Sequence, residues 1–303
     1  MTAELPAIFS RIPWVPPKYE GGIIYDIFGG RVRGYVHGDD GWSDCELNGR
    51  RPQIDDAEIF EWESLFEAVL GARKHFTMIE LGCGFGRWLL LGAGALKRAH
   101  PGMPATFIGV EAEPTHYRWA CEMAELNGLD MELIHAALGS DEGKVDFLIL
   151  DEPAKQYGQS LIYPWTKDWL KDHDMSYSLS KVPTISLQTI LSRLDHVDLI
   201  NCDIQGAEAD VFEAGAAELD RKVARVFIET HGDPLDRRLR ALFSRLRWHC
   251  LHAYSPYQVQ DTPFGPLDFD GGVLVYRNPR LFHADLIWQS KFVGFLRRWV
   301  RFQ

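Results

Sequence analysis

The sequence predicts an α/β fold: a mostly parallel sheet with helices on both faces. Three observations carry that expectation. Short apolar or β-branched runs alternate with helical stretches through the middle of the chain. The first run is followed at once by three glycines in five positions, Gly82, Gly84 and Gly86. Four of the five runs close on a carboxylate. Alternation of this kind lays helices over both faces of a parallel sheet, and ligands of such sheets sit beyond the carboxyl ends of the strands.

Residues 1–56 are rich in Gly, Pro and Trp and read as an N-terminal cover. Within them "IIYDIFGGRVRGYV" predicts two strands joined by the two-residue turn Gly29-Gly30. "DDAEIFEWESLFEAVLGA" follows, with Ile59, Trp62, Leu65, Phe66, Val69 and Leu70 at helical spacing behind the capping candidates Asp55 and Asp56. The runs "TMIEL", "TFIGVE", "MELIHAA", "DLINCDI" and "ARVFIET" are the expected strands, separated by helices such as 87–99, 114–127, 207–214 and 234–246. Residues 57–283 are expected to form the main domain. Residues 284–303 mix Trp288, Phe292, Phe295, Trp299 and Phe302 with Lys291, Arg297, Arg298 and Arg301, the pattern of a basic amphipathic helix.

Composition limits the function classes. With 303 residues and 46% hydrophobic content the chain can bury a sizeable core. The net charge of -11 opposes sequence-independent attraction to nucleic acid, which rests on Lys and Arg neutralising phosphates. No stretch approaches the roughly 18 uncharged apolar residues of a membrane span, and the N-terminus lacks a leader pattern, so the expected location is cytoplasmic. The five scattered cysteines form no C-x-x-C pair and suggest neither a disulfide framework nor a zinc ribbon.

The strand ends carry the chemistry. The first run closes on Glu80 and the glycine turn, the second on Glu111, the third on His135-Ala136-Ala137, the fourth on Asp203, and the fifth on Glu229 and His231. A dinucleotide fingerprint would read G-x-G-x-x-G, whereas the third glycine here follows after one residue, and a P-loop lacks its G-K-[ST]. Glu111 lies 25 residues after Gly86, and a carboxylate offers two acceptors at the separation of vicinal hydroxyls.

"IELGCGFG" and "FIGVEAEP" resemble the class I S-adenosylmethionine-dependent methyltransferases, and "VEAEPTHYRWACEMAELNGL" with "DLINCDIQGAEADVFEAGAAEL" is similar to the FkbM-type family among them. The resemblance covers roughly residues 57–232. It implies a Rossmann-like, seven-stranded class I methyltransferase fold and S-adenosylmethionine as cofactor. It implies cofactor contacts from Glu80, Gly82, Gly84, Gly86, Glu111, Ala136 and Asp203, with Glu111 on the ribose. The chain departs from the family pattern at Glu80, where Asp is usual, at Cys83 and Phe85 beside Gly84, and at Gln205, where Glu is usual. An amide cannot serve as a carboxylate base, so Gln205 is also the hint of a non-catalytic cofactor-binding module.

The implied reaction is displacement at the methyl carbon by an acceptor oxygen or nitrogen. Asp203 and His231 are the catalytic candidates, Asp203 to touch the acceptor or to hold the amino group of the cofactor's methionine, and His231 because its ordinary pKa suits proton removal. Asp203, Glu229 and His231 together offer oxygen ligands and an imidazole, and some relatives of this fold hold magnesium at the corresponding strand ends. The expected acceptor is a hydroxyl on a small molecule or glycan, with an N- or protein methyltransferase as the alternative. Residues 151–181, with Tyr157, Tyr163, Trp165, Trp169 and Tyr177, read as a long binding loop, and 254–270 as a second wall. The C-terminal helix is the expected site of a peripheral membrane or homo-oligomer contact.

Overall fold

The structure, a computed structural model, describes residues 5–38, 50–161 and 176–281. Tyr163, Trp165, Trp169 and the predicted helix at 284–303 lie outside the described residues.

The N-terminal segment forms a three-stranded antiparallel meander of β1 (Lys18–Glu20), β2 (Ile23–Tyr25) and β3 (Arg31–Arg33). The expected two-residue turn at Gly29-Gly30 is instead a connection running from Asp26 to Gly30. Asp26 causes the difference. Its Oδ1 accepts from the N–H groups of Phe28 and Gly30, both at 2.8 Å, and so folds the connection back on itself. Ile27 and Phe28 then point inward, where they join Phe9 and Ile12 in one apolar cluster with Phe60, Trp62 and Phe66. The cover is thereby continuous with the main core.

The helix at Ile59–Gly71, α1, buries the face expected from its spacing, including Ile59, Trp62, Leu65, Phe66 and Val69. Strand β4 (Phe76–Leu81) is buried along its whole length, as a strand covered on both faces must be. Then follow α2 (Arg87–Ala99), β5 (Ala105–Glu111), α3 (Pro114–Asn127) and β6 (Glu132–His135). The run "MELIHAA" divides here. Its first part is β6, and after Ala136 the chain enters β7 (Ala137–Gly139), which pairs in a separate three-stranded sheet with β8 (Gly143–Leu150) and β9 (Tyr177–Ser186). Tyr177, expected in a loop, therefore opens a strand paired with Leu150.

The second half supplies α4 (Leu187–Ser192), β10 (Leu199–Cys202), α5 (Glu208–Ala214), α6 (Ala216–Lys222), β11 (Arg225–Thr230) and α7 (Asp233–Arg245). It closes with β12 (His249–Tyr254), a hairpin of β13 (Gln258–Thr262) and β14 (Gly265–Phe269), and β15 (Gly272–Arg277). The central sheet has the order β6-β5-β4-β10-β11-β15-β12. Only β15 runs against its neighbours. This is the seven-stranded, mostly parallel Rossmann-like architecture that the sequence resemblance implies. Helices α1 and α2 pack with the cover on one face, and α4, α5, α6 and α7 on the other. Strand order reverses between β4 and β10, so the crevice at their carboxyl ends is where a ligand belongs. No helix among the described residues is long and apolar enough to cross a membrane.

Candidate functional site

The glycine turn is dictated by a close approach. Gly82 has φ 78°, and a Cβ there would lie 1.8 Å from the backbone oxygen of Asp203. Only glycine lets the ends of β4 and β10 meet backbone to backbone. The next strand is tied in by the N–H groups of Gly82 and Cys83, which both donate to the Val110 carbonyl, at 2.9 and 3.0 Å.

Two buried carboxyls flank this turn. Glu80 accepts from Leu89 N–H at 3.0 Å and from Trp88 N–H at 3.4 Å, so it caps the first turn of α2 while lining the cleft. Burial pushes its pKa up to about 8. Glu111 accepts from Gly84 N–H at 2.7 Å through Oε2 and from Glu113 N–H at 2.8 Å through Oε1. Those bonds aim both oxygens along the turn, and burial raises Glu111 to about 7.

The turn forms the floor of a cavity of about 330 Å³. One side is apolar, made by Ala136, Ala137, Leu138, Phe147 and Leu161 beyond β6. Tyr157 covers Glu111 and Gly84: its ring stacks on His116 at 4.3 Å, and its Oη donates to the Val36 carbonyl at 2.6 Å. That bond joins the 151–161 segment to the N-terminal cover. The far side is charged. Arg87 makes a bidentate pair with Glu58, one arm at 2.8 Å, and Arg50, Glu61 and Asn201 line the same end.

At the ends of β10 and β11 the structure brings Asp203, Glu229 and His231 together. His231 Nε2 lies 3.5 Å from Asp203 Oδ1 and 3.9 Å from Glu229 Oε1, while Nδ1 bonds Glu208 Oε1 at 2.8 Å. Glu208 is fully buried and also accepts from Gly206 N–H at 2.9 Å. Burial opposes the charge on His231, yet the Glu208 bond and the Asp203 and Glu229 carboxylates outweigh it and push its pKa up to about 9. Burial and the neighbouring Asp203 raise Glu229 to about 7. Asp203 and Glu229 line the cavity, and His231 stands behind them. Gln205, at φ 54°, donates its side-chain N–H to Asp203 Oδ1 at 2.7 Å. Among the described residues no group of three or more His, Cys, Asp or Glu side chains has the geometry to hold a metal ion.

Every site residue expected from the sequence except Gly86 and His231 lines this one cavity. Gly86 is the N-cap of α2, one turn removed. Sequence reasoning missed Glu208, Glu58, Glu61, Arg87 and Asn201. Glu208 stands in "DIQGAE" at the first turn of α5, a place where glutamate is common for the helix dipole alone. Glu61 was hidden among the charged residues of an amphipathic helix. Asn201 interrupts an otherwise apolar strand, and that interruption was the signal available.

A sequence profile for the methyltransferase FkbM domain matches residues 99–251, about half of the chain. A protein of Jannaschia sp. (strain CCS1) with a provisional methyltransferase name is 28% identical over 231 residues, 75% of this chain and 81% of its own. Among solved structures, an FkbM methyltransferase from Methylobacillus flagellatus KT aligns at 12% identity and a TM-score of 0.42, over 76% of this chain and 51% of its own. This chain thus spans about half the length of that structure. A class I S-adenosylmethionine-dependent methyltransferase structure from Listeria monocytogenes aligns at 13% identity and a TM-score of 0.39, over 78% of this chain and 62% of its own.

Proposed function

The chain belongs to the FkbM methyltransferase family, and from that premise we propose that it transfers the methyl group of S-adenosylmethionine to a hydroxyl oxygen of a small molecule or glycan. The carrying observation is the continuity of the cleft. A nucleoside-sized recess, with Glu111 on its wall and a glycine turn as its floor, runs directly into the carboxylates Asp203 and Glu229.

The residues present fit the cofactor. Glu111 keeps unused lone pairs on both oxygens for two ribose hydroxyls, since each oxygen accepts one backbone N–H. The apolar side at Ala136, Leu138 and Phe147 suits a purine face, and Tyr157 with His116 shields the ribose side from water. When bound, the cofactor supplies an electrophilic methyl group on a sulfonium, whose positive charge is lost on transfer. Six carboxyl side chains line the cavity, Glu58, Glu61, Glu80, Glu111, Asp203 and Glu229, against the guanidiniums of Arg50 and Arg87, and those of the six that are ionised suit a bound cation.

The chain's own contribution is positioning and proton removal. Glu229, with its pKa near neutrality and its carboxyl on the cavity wall, is the proposed acceptor of the hydroxyl proton. His231 carries a positive charge at neutral pH. Its proposed part is therefore to hold Asp203 and Glu229 in place through charge, with Glu208 fixing its ring, rather than to take the proton itself.

The test is incubation with methyl-labelled cofactor and a panel of sugars, glycolipids and extracts. Labelling at a hydroxyl oxygen supports the reading. Cofactor binding with no transfer to any acceptor would favour the binding-module alternative.

A further inference from the structure

The charged end of the cleft has a composition that the reaction above leaves unexplained. Glu61 lies in the first turn of α1, and Asn201 lies on β10 in register with Glu80. Asn201 is only 5% exposed, and its side-chain N–H donates to Glu61 Oε1 at 2.6 Å. Its Oδ1 is buried and has no hydrogen-bond partner among the described residues. The Asn201 amide and the Arg87 charge both favour the ionised form of the Glu61 carboxyl. Burial raises the Glu61 pKa well above the ordinary range, and the carboxylates of Glu58 and Glu229 add to the effect. A carboxyl on the cleft wall beside a buried amide oxygen with no partner presents two acceptors that an arriving donor would satisfy.

Position indicates the donor. Along the rim the order is Ala136 at β6, Glu111 at β5, the glycine turn at β4 and Asn201 at β10. A nucleoside seated between Ala136 and Glu111 would send its 5′ substituent across the glycine turn toward β10. Two strand spacings, about 10 Å, separate Glu111 from Asn201. Arg50 and Arg87 stand at the same end and supply the opposite sign of charge. Both signs close together are what an α-amino acid zwitterion requires.

Resting on the methyl-donor reading above, we propose that Glu61 and Asn201 form the receptor for a primary ammonium group, the α-amino group at the amino-acid end of the cofactor. Glu61 accepts one N–H of the ammonium and the Asn201 oxygen a second. Asp203 and Glu229 are thereby left to the acceptor. An amine carried by the acceptor substrate has the same chemistry, and the experiment separates the two sources.

Binding of S-adenosylhomocysteine and of 5′-methylthioadenosine, which keeps the nucleoside and thioether but lacks the amino acid, is measured by calorimetry on the wild type, Glu61→Gln and Asn201→Ala. The expected result is that both variants lose tenfold or more in affinity for S-adenosylhomocysteine and less than threefold for methylthioadenosine. Unchanged S-adenosylhomocysteine binding in both variants would overturn the proposal and assign the pair to an acceptor amine. Equal weakening of both ligands would also overturn it, since the effect would then not be confined to the amino-acid end. A wild type that binds neither ligand would instead remove the methyl-donor reading itself.

Discussion

Glu111 is the residue on which the cofactor reading turns. Replacing it with Ala removes a carboxylate that holds the glycine turn through Gly84 and offers lone pairs to two hydroxyls. Hydrogen bonds to a charged group are worth about 1.5–3 kcal/mol, so affinity for S-adenosylhomocysteine should fall by about 10- to 100-fold in calorimetry. Proton removal makes a second prediction. Activity should rise as Glu229 ionises around pH 7 and fall as His231 loses its charge around pH 9. Glu229→Gln should lower kcat by about 100-fold or more and flatten the acid limb of the profile; an unchanged limb would assign the base elsewhere. Glu80, Glu111 and Glu229 have folded pKa values raised above their ordinary ones, so they stabilise the fold most below the unfolded carboxylate range and lose that effect as pH rises through 7 to 8. His231, also raised, loses its contribution as pH climbs from 6.5 through about 9. The ligand-free protein should therefore melt at a lower temperature at pH 9 than at pH 6, and Glu80→Gln should shrink that difference. At this scale the glycine turn was legible from its spacing, and Glu111 from its place at a strand end together with the family resemblance. Glu208 and Glu61 were not, because their significance comes from partners 23 and 140 residues away.

Among elements, helices read well and connections read poorly. The predicted helices at 87–99 and 114–127 coincide with α2 and α3, since amphipathic spacing and the Pro114 and Gly128 boundaries are local signals. The connection from β2 to β3 depends on Asp26 bonding its own backbone and on a distant core accepting Phe28, which no local pattern reveals. Division of "MELIHAA" between two sheets was invisible for the same reason: its apolar run is continuous, and only pairing partners show where it breaks. The cover makes a prediction at this scale. Phe28 packs against Phe66 at a ring separation of 5.8 Å, and a Cβ on Gly94 would come within 2.6 Å of the Phe28 Cβ. Phe28→Ala should cost about 3–5 kcal/mol in chemical denaturation although it lies outside the cofactor frame. A loss below 1 kcal/mol would show the cover to be a peripheral attachment.

Over the whole molecule, one sheet sorts the tasks. The ends of β6, β5 and β4 carry the recess proposed for a nucleoside, and the ends of β10 and β11 carry the carboxylates Asp203 and Glu229, proposed to face an acceptor. The reversal of strand order between those groups makes the crevice, and the α/β alternation made this division readable from sequence. The segments expected to wall the acceptor were less readable: residues 151–161 contribute Tyr157, Gln159 and Leu161 to the cavity without any periodicity that fixes their place, and no residue of the β13–β14 hairpin is among those lining it. The account rests on the cleft being a methyl-donor site with Glu111 at its centre. Calorimetric titration of S-adenosylhomocysteine into the wild type and Glu111→Ala tests this most directly. Saturable one-to-one binding to the wild type, weakened tenfold or more in the variant with folding intact, is the predicted result; no binding to the folded wild type, or equal binding to both proteins, would contradict it.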